Sequence, residues 1–346
     1  MLRFLTSGES HGKCLLAILE GIPAGLTIDK KFIDQELARR QKGFGRGPRM
    51  KIEKDKVEII SGIKDGFSIG SPIGMLIRNK DFSIDNLPKV VSPRPGHADL
   101  AGILKYGFKD IRNVLERASA RETAVRVAVG AICKLFLKEF DIFIKSRVLM
   151  IAGETKKTLM VKKIKEAKEK KDTVGGIFEV IAKGVPVGLG SYVHWDRRLD
   201  SRIAEAVISI PGVKAVEFGL GFGYAKRFGS EVHDAIYYNK SKGYFRLTNN
   251  AGGIEGGISN GEEIIIRACM KPISTLMQPL DSVNILTKKP TQASLERSDV
   301  CVVESAGVIA ENMVAFVLAD AFLEKFGTDN LSQIKENYAN YLRKIK

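Results

Sequence analysis

The sequence predicts an α+β protein that forms a single large domain over residues 1–346. Strand-like runs of β-branched residues alternate irregularly with long helical patterns, and no period of 20 to 50 residues indicates a repeat protein. No Pro/Ser-rich linker divides the chain. With 44% hydrophobic and 27% charged residues, the chain has the composition of an ordinary globular protein, long enough to bury a sizeable core.

Five short apolar or β-branched runs are predicted strands: residues 57–60, 73–77, 177–181, 213–218 and 263–269. The first predicted helix spans 29–41, because Asp29 is a suitable N-cap and Phe32, Ile33 and Leu37 recur at helical spacing. A longer helix is predicted over 119–140, where Ser119 and Glu122 have the spacing of a capping box. Further helices are predicted over 199–210, which Pro211 ends, over 306–326, and over a polar stretch at 332–346.

The net charge is +15, from 55 Lys and Arg against 40 Asp and Glu. A basic surface attracts anions, so nucleic acid, acidic lipid and phosphorylated metabolites are candidate partners. The Lys-rich stretch at 156–171 is typical of a solvated helix face. Four widely spaced cysteines without a C-x-x-C pair argue against a metal site or a disulfide framework.

Uninterrupted apolar runs, such as residues 14–19, are short, whereas a membrane helix needs about 20 residues. The first residues also lack the apolar core of a signal peptide. We therefore expect no membrane partner and a cytoplasmic location.

Long polar or glycine-rich segments separate the predicted elements and are typical of functional loops; they span 7–13, 39–51, 92–98, 219–232, 249–261 and 271–299. Two of the four histidines, His11 and His97, lie in these loops beside small residues. Histidine exchanges protons near neutral pH, so both are candidate acid–base groups. His194 and His233 lack such settings and are interpreted as structural or surface residues.

Arginines are concentrated in the same loops. Four lie within eleven residues among three glycines, Arg94 neighbours His97, and two flank the predicted start of the 119–140 helix; together they are Arg39, Arg40, Arg46, Arg49, Arg94, Arg117 and Arg121. Guanidinium groups and helix N-termini both bind phosphate and carboxylate. A solvated or RNA-contacting surface is the alternative for the 39–49 segment, although Phe44 is its only aromatic residue, which disfavours single-strand binding.

Four other segments were considered as binding or catalytic sites. The 271–275 segment offers a lysine and two hydroxyls for a phosphate, and the 297–299 segment places Asp299 two residues from Arg297, as either an ion pair or a catalytic group. The glycine-rich 249–261 segment has no Gly-Lys-Ser/Thr ending, and the glycines at 219–221 fit a dinucleotide fingerprint poorly. A Walker NTPase and a Rossmann dehydrogenase are therefore excluded.

Five ordered motifs between residue 4 and about residue 325 resemble the chorismate synthase family: residues 8–12 followed by 20–25, 94–99, 116–123, 256–261, and 297–301 with Glu311 beyond. Two departures are Val300, where proline is common, and Pro211-Gly212, where a polar residue and alanine are common beside the flavin; that stretch is left out of the predicted site. The resemblance implies a β-α-β sandwich, a homotetramer, and anti-1,4-elimination of phosphate from 5-enolpyruvylshikimate 3-phosphate to give chorismate.

The resemblance also implies roles for individual residues. His11 would protonate or bind the departing phosphate, His97 would keep reduced FMN in its reactive form, and Asp299 near flavin N5 would assist removal of the C6 proton. The implied substrate-binding residues are Arg40, Arg46, Arg49, Arg94, Ser119, Arg121 and Arg297. The implied cofactor-binding residues are Arg117, Ala118, Ser119, Gly256, Lys271, Pro272, Ile273, Ser274, Thr275 and Arg297.

The implied cofactor is reduced FMN, and the resemblance links the activity to NADP. No segment indicates a built-in flavin reductase, so an external reductase or another source of reduced flavin is an expected partner. Two other functions stay open at this point. A basic RNA-binding module would use the 39–49 segment without His11 or Asp299, and an FMN-dependent oxidoreductase would consume reductant in proportion to its substrate.

Overall fold

The structure is a computed structural model, which describes residues 1–47, 49–241, 243–296 and 298–345. Its strands, in chain order, are β1 (Arg3–Ser7), β2 (Cys14–Glu20), β3 (Glu58–Ile59), β4 (Ile63–Lys64), β5 (Phe67–Ser68), β6 (Ile73–Arg78), β7 (Phe143–Ile151), β8 (Gly176–Lys183), β9 (Val213–Phe218), β10 (Ile236–Asn239), β11 (Gly243–Arg246), β12 (Ile254–Glu255), β13 (Ile258–Ser259), β14 (Ile264–Met270), β15 (Asp281–Val283) and β16 (Pro290–Gln292).

The α-helices are α1 (Lys30–Gln41), α2 (Arg49–Ile52), α3 (Asp99–Tyr106), α4 (Arg112–Ala118), α5 (Thr123–Lys138), α6 (Lys157–Glu169), α7 (Leu199–Ile208), α8 (Gly229–Val232), α9 (Val303–Phe326) and α10 (Leu331–Ile345). Short 3₁₀ turns cover Ile84–Asn86, Ala120–Glu122, Trp195–Arg197 and Gly221–Lys226.

Two four-stranded antiparallel sheets enclose a helical layer. The first sheet has the strand order β1-β2-β6-β3 and the second β7-β8-β14-β9. Helix α5 packs on β2 and β6 of the first sheet, α9 packs on β7 and β8 of the second, and the two helices pack on each other. This arrangement is the β-α-β sandwich that the resemblance implied, and the α+β prediction is confirmed.

One apolar core runs through the sandwich. Buried side chains of both sheets and of the helices between them, including Leu15, Phe136, Phe178 and Phe322, belong to a single contiguous cluster. A Cβ atom at Gly130 of α5 would overlap the backbone of Asn312 in α9, so this glycine permits the close helix approach at the centre. We interpret the chain as one domain on this basis.

Helix α9 is long and apolar enough, by length and composition, to cross a membrane, and it contradicts the expectation that no stretch approaches that length. The search for uninterrupted apolar runs missed it because isolated polar residues such as Glu311 and Asn312 interrupt the pattern. The most apolar 18-residue window of α9 is 89% buried within the fold, so we interpret α9 as the core helix of the sandwich.

Several predicted elements are found where expected. The Asp29 side chain caps α1 by accepting the N–H groups of Lys31 and Phe32 at 2.8 and 3.2 Å, and the five predicted strands correspond to β3, β6, β8, β9 and β14 within one or two residues of their bounds. Strands β1, β2 and β7 were not predicted. The glycine-rich 249–261 segment contains the small hairpin β12–β13, and the 271–299 segment contains β15–β16.

The capping box predicted at residue 119 is wrong. Ser119 accepts the N–H of Arg121 at 3.3 Å, but it begins a 3₁₀ turn that precedes α5. The Glu122 carboxylate turns away from that cap, because it accepts hydrogen bonds from Thr6 at 2.8 Å and from Arg126 at 2.9 Å. Arg117 therefore lies in the last turn of α4, not at a helix N-terminus as the prediction had placed it.

Candidate active site

His11 is held by a buried carboxylate. Its Nδ1 lies 3.0 Å from Oε2 of Glu116, and the same oxygen accepts the backbone N–H of His11 at 2.8 Å. The loop between β1 and β2 brings His11 to α4, and Ser10 N–H donates to the Glu116 carbonyl at 2.9 Å. On its other side, Nε2 of His11 lies 3.8 Å from Oδ2 of Asp81, so the ring presents this nitrogen to a polar surrounding.

Two buried arginines lie close to this loop and share one carboxylate. Arg121 donates to both oxygens of Asp55 at 2.6 and 2.7 Å and to Asn79 at 2.9 Å. Arg40, in the last turn of α1, lies 3.5 Å from Asp55 and also donates to Thr123 at 3.0 Å. Helix α1 and the 3₁₀ turn before α5 thus bring two guanidinium groups to one place.

The 39–49 segment and the 116–121 segment meet at Ser10. Arg49 donates to the Ser10 hydroxyl at 2.8 Å and to its carbonyl. The Ser119 hydroxyl donates to Ser10 Oγ at 3.2 Å. A pair of serines therefore links three loops that are far apart in the sequence.

Asp299 is oriented by the same arginine-rich segment. Oδ2 of Asp299 lies 3.5 Å from Nε of Arg46, and Oδ1 accepts the backbone N–H of Gly47. The neighbouring backbone is paired as well, because Val300 N–H donates to the Gly45 carbonyl at 2.8 Å. We call His11, Arg40, Arg46, Arg49, Arg121 and Asp299 the His11 cluster.

Burial is the main electrostatic effect in this cluster. It lowers the pKa of Arg40 to about 9; Asp55 opposes this effect, and Arg121 and Arg46 add to it. The Arg40 guanidinium is still charged at neutral pH. Burial also lowers the pKa of Arg49. Burial alone would raise the pKa of Glu116, but hydrogen bonds from His11 and Arg112 lower it, so this carboxylate stays ionised.

Two buried donors in the His11 cluster point to an anion. Nη2 of Arg121 and Nε of Arg49 are buried and have no hydrogen-bond acceptor among the described residues. A buried donor without an acceptor costs free energy, so these atoms are suited to a phosphate or carboxylate oxygen.

A second set of contacts surrounds His97. The Asp99 carboxylate lies 2.5 Å from His97 Nδ1 and accepts two hydrogen bonds from the Arg94 guanidinium, at 2.8 and 3.0 Å. Arg94 also donates to the Thr275 hydroxyl at 2.8 Å. Burial alone would raise the pKa of Asp99, but His97 and Arg94 hold it well below its usual value. We call Arg94, His97, Asp99, Lys271 and Thr275 the His97 cluster.

The 271–275 segment joins this second set from the end of β14. The Lys271 ammonium donates to the Gly96 carbonyl, and its backbone N–H donates to the Gly212 carbonyl at 2.9 Å. The Gly212 turn, which the prediction left out, therefore lies beside Lys271. Burial lowers the pKa of Lys271. Further along, the Ile273 carbonyl accepts the Thr173 hydroxyl at 2.7 Å.

Arg112, in α4, connects Glu116 with the segment that leads to Arg94. It lies 3.3 Å from Glu116, the partner of His11, and donates to the carbonyl of Pro88 at 2.8 Å. Six residues separate Pro88 from Arg94, a reach of at most about 20 Å. Whether both sets line one pocket for substrate and flavin stays a prediction.

Two of the described predicted site residues, Arg117 and Gly256, lie apart from these contacts. Arg117 donates to Thr6 and Gly8, next to a groove between β1, α7 and α9. Gly256 lies at the β12–β13 turn, which precedes β14, whereas Lys271 follows β14; the seven residues of β14 span about 23 Å. Arg297 lies outside the described residues. Ala118 ends α4 beside Ser119, and Pro272 and Ser274 lie in the loop after β14.

The residues of the His97 cluster fit a flavin phosphate in their chemistry. They supply an ammonium, a guanidinium and hydroxyls around Gly96, whose φ of +76° is a conformation that suits glycine. At Gly256 a Cβ atom would meet nothing within 4 Å, so a flat ligand has room there. Among the described residues, no group of three or more His, Cys, Asp or Glu could hold a metal ion.

The sequence analysis missed the acidic residues that organise both clusters, namely Asp55, Asp81, Asp99, Glu116 and also the amide Asn79. Asp99 and Glu116 lay within the motifs already singled out, and the His97-x-Asp99 spacing was the available signal. Asp55, Asp81 and Asn79 lie outside those motifs and reach the site only through tertiary contacts. Within the 39–49 segment, Arg40 is buried and the Arg46 side chain is 10% exposed, which disfavours the RNA-binding alternative because it needs the arginines of this segment in solvent.

Comparison with known proteins agrees with this geometry. The sequence profile of the chorismate synthase family matches residues 2–323. Chorismate synthase of Caldanaerobacter subterraneus subsp. tengcongensis is 56% identical over 100% of this chain and 99% of its own length. That of Aquifex aeolicus is 50% identical over 100% of this chain and 98% of its own.

A solved structure has the same fold. The crystal structure of a chorismate synthase superimposes with a TM-score of 0.82 and 43% sequence identity, covering 100% of this chain and 98% of that one. Together with the profile match over nearly the whole sequence, these likenesses show that the chain belongs to the chorismate synthase family.

Proposed function

We propose that this chain is a chorismate synthase that eliminates phosphate from 5-enolpyruvylshikimate 3-phosphate in an anti-1,4 sense, with reduced FMN as its cofactor. The observation that supports this most is the His11 cluster, in which contacts between distant segments connect one proton-exchanging ring, three arginines of the 39–49 segment, Arg121 and Asp299. The substrate carries a phosphate and two carboxylates, and a densely cationic site suits it.

The arginines of the His11 cluster would bind and orient the substrate. Arg121 and Arg49 offer buried donors without acceptors among the described residues, and Arg46 supplies a third guanidinium beside Asp299. Because Arg121 is fixed by Asp55 and Asn79, its direction is set before substrate arrives. Preorganised charges of this kind stabilise a departing phosphate without reorganisation. Arg40, Arg94, Ser119 and Arg297 complete the proposed substrate contacts.

His11 would donate a proton to the leaving phosphate group. Its Nδ1 is engaged by Glu116, which leaves Nε2 as the nitrogen that can donate to a phosphate oxygen. The ring is 18% exposed, so it is reachable yet sheltered from bulk water. Protonation of the departing phosphate is general acid catalysis, which typically contributes about 10²- to 10⁴-fold.

Asp299 would assist removal of the C6 proton. Its carboxylate is positioned by the Gly47 N–H and by Arg46, so it keeps one orientation relative to the bound substrate. Asp299 contacts the 39–49 segment through Arg46, and Ser10, the neighbour of His11, contacts it through Arg49. This segment therefore connects the proposed base with the loop that carries the proposed acid.

Reduced FMN, when bound, would transiently lend electron density to the substrate in a reaction that is redox-neutral overall. Lys271, Pro272, Ile273, Ser274 and Thr275 would hold it, together with Arg117, Ala118, Ser119, Gly256 and Arg297. His97 would hold a proton next to the flavin, with its ring fixed by Asp99. Since Gly256 lies a strand length from Lys271, a second subunit is the simplest way to bring both to one flavin.

We further propose a homotetramer, a cytoplasmic location and an external, NADP-linked source of reduced flavin. The tetramer is supported by apolar side chains on the outer face of the first sheet, where Leu5, Leu16 and Ile18 are 71%, 41% and 52% exposed. Leu5 pairs with Ile18 across β1 and β2, so these residues form a continuous patch that a second copy would cover.

The deciding experiment is anaerobic incubation of the purified chain with photoreduced FMN and 5-enolpyruvylshikimate 3-phosphate. We expect phosphate and chorismate to appear in equal amounts, with no net oxidation of the flavin and no product when FMN is omitted. Consumption of reductant in proportion to substrate would instead indicate an oxidoreductase. Polynucleotide binding with a steep salt dependence, and no product, would indicate an RNA-binding module.

A further inference from the structure

A separate cavity of about 410 Å³ lies between the segment after α1, strand β7, helix α6 and the first turns of α9. Of its described lining residues, only Arg46 belongs to the His11 cluster. The volume lies within the range of about 300–1,000 Å³ that small-molecule sites have. Nothing in the proposed reaction uses this space.

The floor of the cavity is apolar. Ile151 comes from β7, Met160 and Ile164 from α6, and Val308 from α9, and all four side chains are buried. Val148 adds a half-buried apolar side chain. Apolar walls on three sides favour the ring or short chain of an organic ligand over a hydrated inorganic ion.

The rim of the cavity is cationic and carries one opposing carboxylate, that of Glu304. The cationic residues of the rim are Arg39, Lys42, Arg46, Arg147 and Lys157. The three arginines are already paired with acidic residues of the fold, namely Glu311, Asp299 and Glu179. Lys42 and Lys157 are exposed and form no salt bridge with another described residue. The unpaired positive charge at the opening therefore comes from two ammonium groups, which outnumber the single carboxylate of Glu304.

An apolar floor and two rim ammonium groups suit an amphipathic anion. A single carboxylate can lie between the two lysines while its ring or chain enters the cavity. A nucleotide is a poor fit, because its phosphates need a denser set of donors than two exposed lysines provide.

The cavity and the candidate active site share the 43–47 segment. Arg46 lines the cavity and pairs with Asp299 through its Nε, while Gly45 and Gly47 bond to the backbone and side chain around Asp299. An occupant that moves Arg46 must also change the surroundings of Asp299. We propose that this cavity binds a small organic anion, an apolar ring or chain with one carboxylate, and that its occupancy is coupled to Asp299 through Arg46.

The binding test uses 3-phenylpropionate as the probe and isothermal titration calorimetry with the full chain. Wild type binds one probe per chain, and the neutral 3-phenylpropionamide binds much more weakly. Lys157→Glu weakens probe binding at least about fivefold, the factor for roughly 1 kcal/mol from one exposed ion pair. Lys165→Glu is the matched control, since it reverses an exposed lysine on the same helix outside the cavity and leaves binding unchanged.

Three outcomes overturn the site: no measurable binding to wild type, equal loss in Lys157→Glu and Lys165→Glu, or complete displacement of the probe by saturating 5-enolpyruvylshikimate 3-phosphate. The last would place the probe in the candidate active site. A site in the cavity keeps the probe bound when substrate is present.

The coupling is tested by turnover and rests on the proposed function, whereas the binding test does not. Saturating 3-phenylpropionate changes the kcat or KM of wild type at least about twofold, and in Lys157→Glu the same change needs a probe concentration at least about fivefold higher. Binding without any effect on wild-type turnover would refute the coupling. Wild type that binds the probe but shows no turnover at all refutes the proposed function and leaves the binding site standing.

Discussion

Nδ1 of His11 lies 3.0 Å from Oε2 of Glu116, and that oxygen also accepts the backbone N–H of His11 at 2.8 Å. One buried carboxylate therefore fixes both the ring and the backbone of the residue that we propose to act on the leaving phosphate. A carboxylate at Nδ1 favours the tautomer with hydrogen on that nitrogen and orients the ring, as in other histidine-carboxylate pairs of enzymes.

We expect Glu116→Gln to lower kcat at least about tenfold, because a hydrogen bond to a charged group that is worth about 1.5–3 kcal/mol is weakened. The change is measured in the anaerobic assay across pH. Glu296→Gln is the matched control, since Glu296 also accepts a hydrogen bond from Arg112, at 3.0 Å, but the described contacts do not join it to His11. Equal loss in both variants would mean that Glu116 acts only through Arg112 and not through His11.

His11→Ala should lower kcat by about 10²- to 10⁴-fold while FMN binding and the thermal midpoint survive, because the ring lies in a loop and not in the core. The measurements are steady-state turnover, flavin titration and thermal unfolding. His194→Ala is the control: His194 is exposed and also has a carboxylate partner, Asp196 at 2.6 Å. Wild-type turnover in His11→Ala would remove this residue from the mechanism.

Arg46→Ala should mainly weaken substrate binding, since its segment contributes charge and no proton-transfer group. We expect KM to rise about tenfold, the factor for loss of roughly 1.4 kcal/mol, with a smaller fall in kcat from the freed Asp299. Arg78→Ala removes a comparable but exposed arginine, paired with Glu58, and should leave KM unchanged. An unaltered KM in Arg46→Ala would argue against the substrate role.

Local signals predicted local structure well. Asp29 caps α1, because a short carboxylate next to an amphipathic run has few alternatives, and β14 forms within one residue of its predicted bounds. Strand β1 was missed, since polar residues at Thr6 and Ser7 obscure its pattern, and β2 was missed although residues 14–19 are an uninterrupted apolar run.

Contacts between residues that are distant in the sequence limited the prediction of the remaining structure. Glu122 has the right spacing for a capping box with Ser119, but Thr6 and Arg126 take its carboxylate instead. Arg126 has the local i,i+4 spacing, whereas no local pattern reveals Thr6 as a partner. Likewise, the motifs predicted the histidines and arginines of the site, whereas Asp55 reaches Arg121 only because a separate segment folds against α5. Tertiary contacts, not propensities, select these carboxylates.

The Asp99 pair gives a prediction for the dependence of stability on pH. Folding lowers the pKa of Asp99, through His97 and Arg94 and against the effect of burial, so the unfolded chain binds this proton more tightly. Its contribution to stability is therefore fully present above the unfolded pKa of about 3.9 and is lost as the pH falls below that value.

Asp99→Asn should accordingly destabilise the protein by about 3 kcal/mol at pH 7, because it leaves the Arg94 guanidinium buried beside a neutral group. The difference from wild type should shrink as the pH falls below about 4, where this carboxyl begins to take up its proton in the unfolded wild-type chain while it stays ionised in the folded protein. Urea unfolding midpoints at pH 7 and pH 3.5 measure both effects. Asp196→Asn alters an exposed carboxylate at the same spacing from a histidine and should have little effect at either pH. A destabilisation of Asp99→Asn that is independent of pH would show that the lost contacts matter through shape and hydrogen bonding, not through the ionised carboxylate.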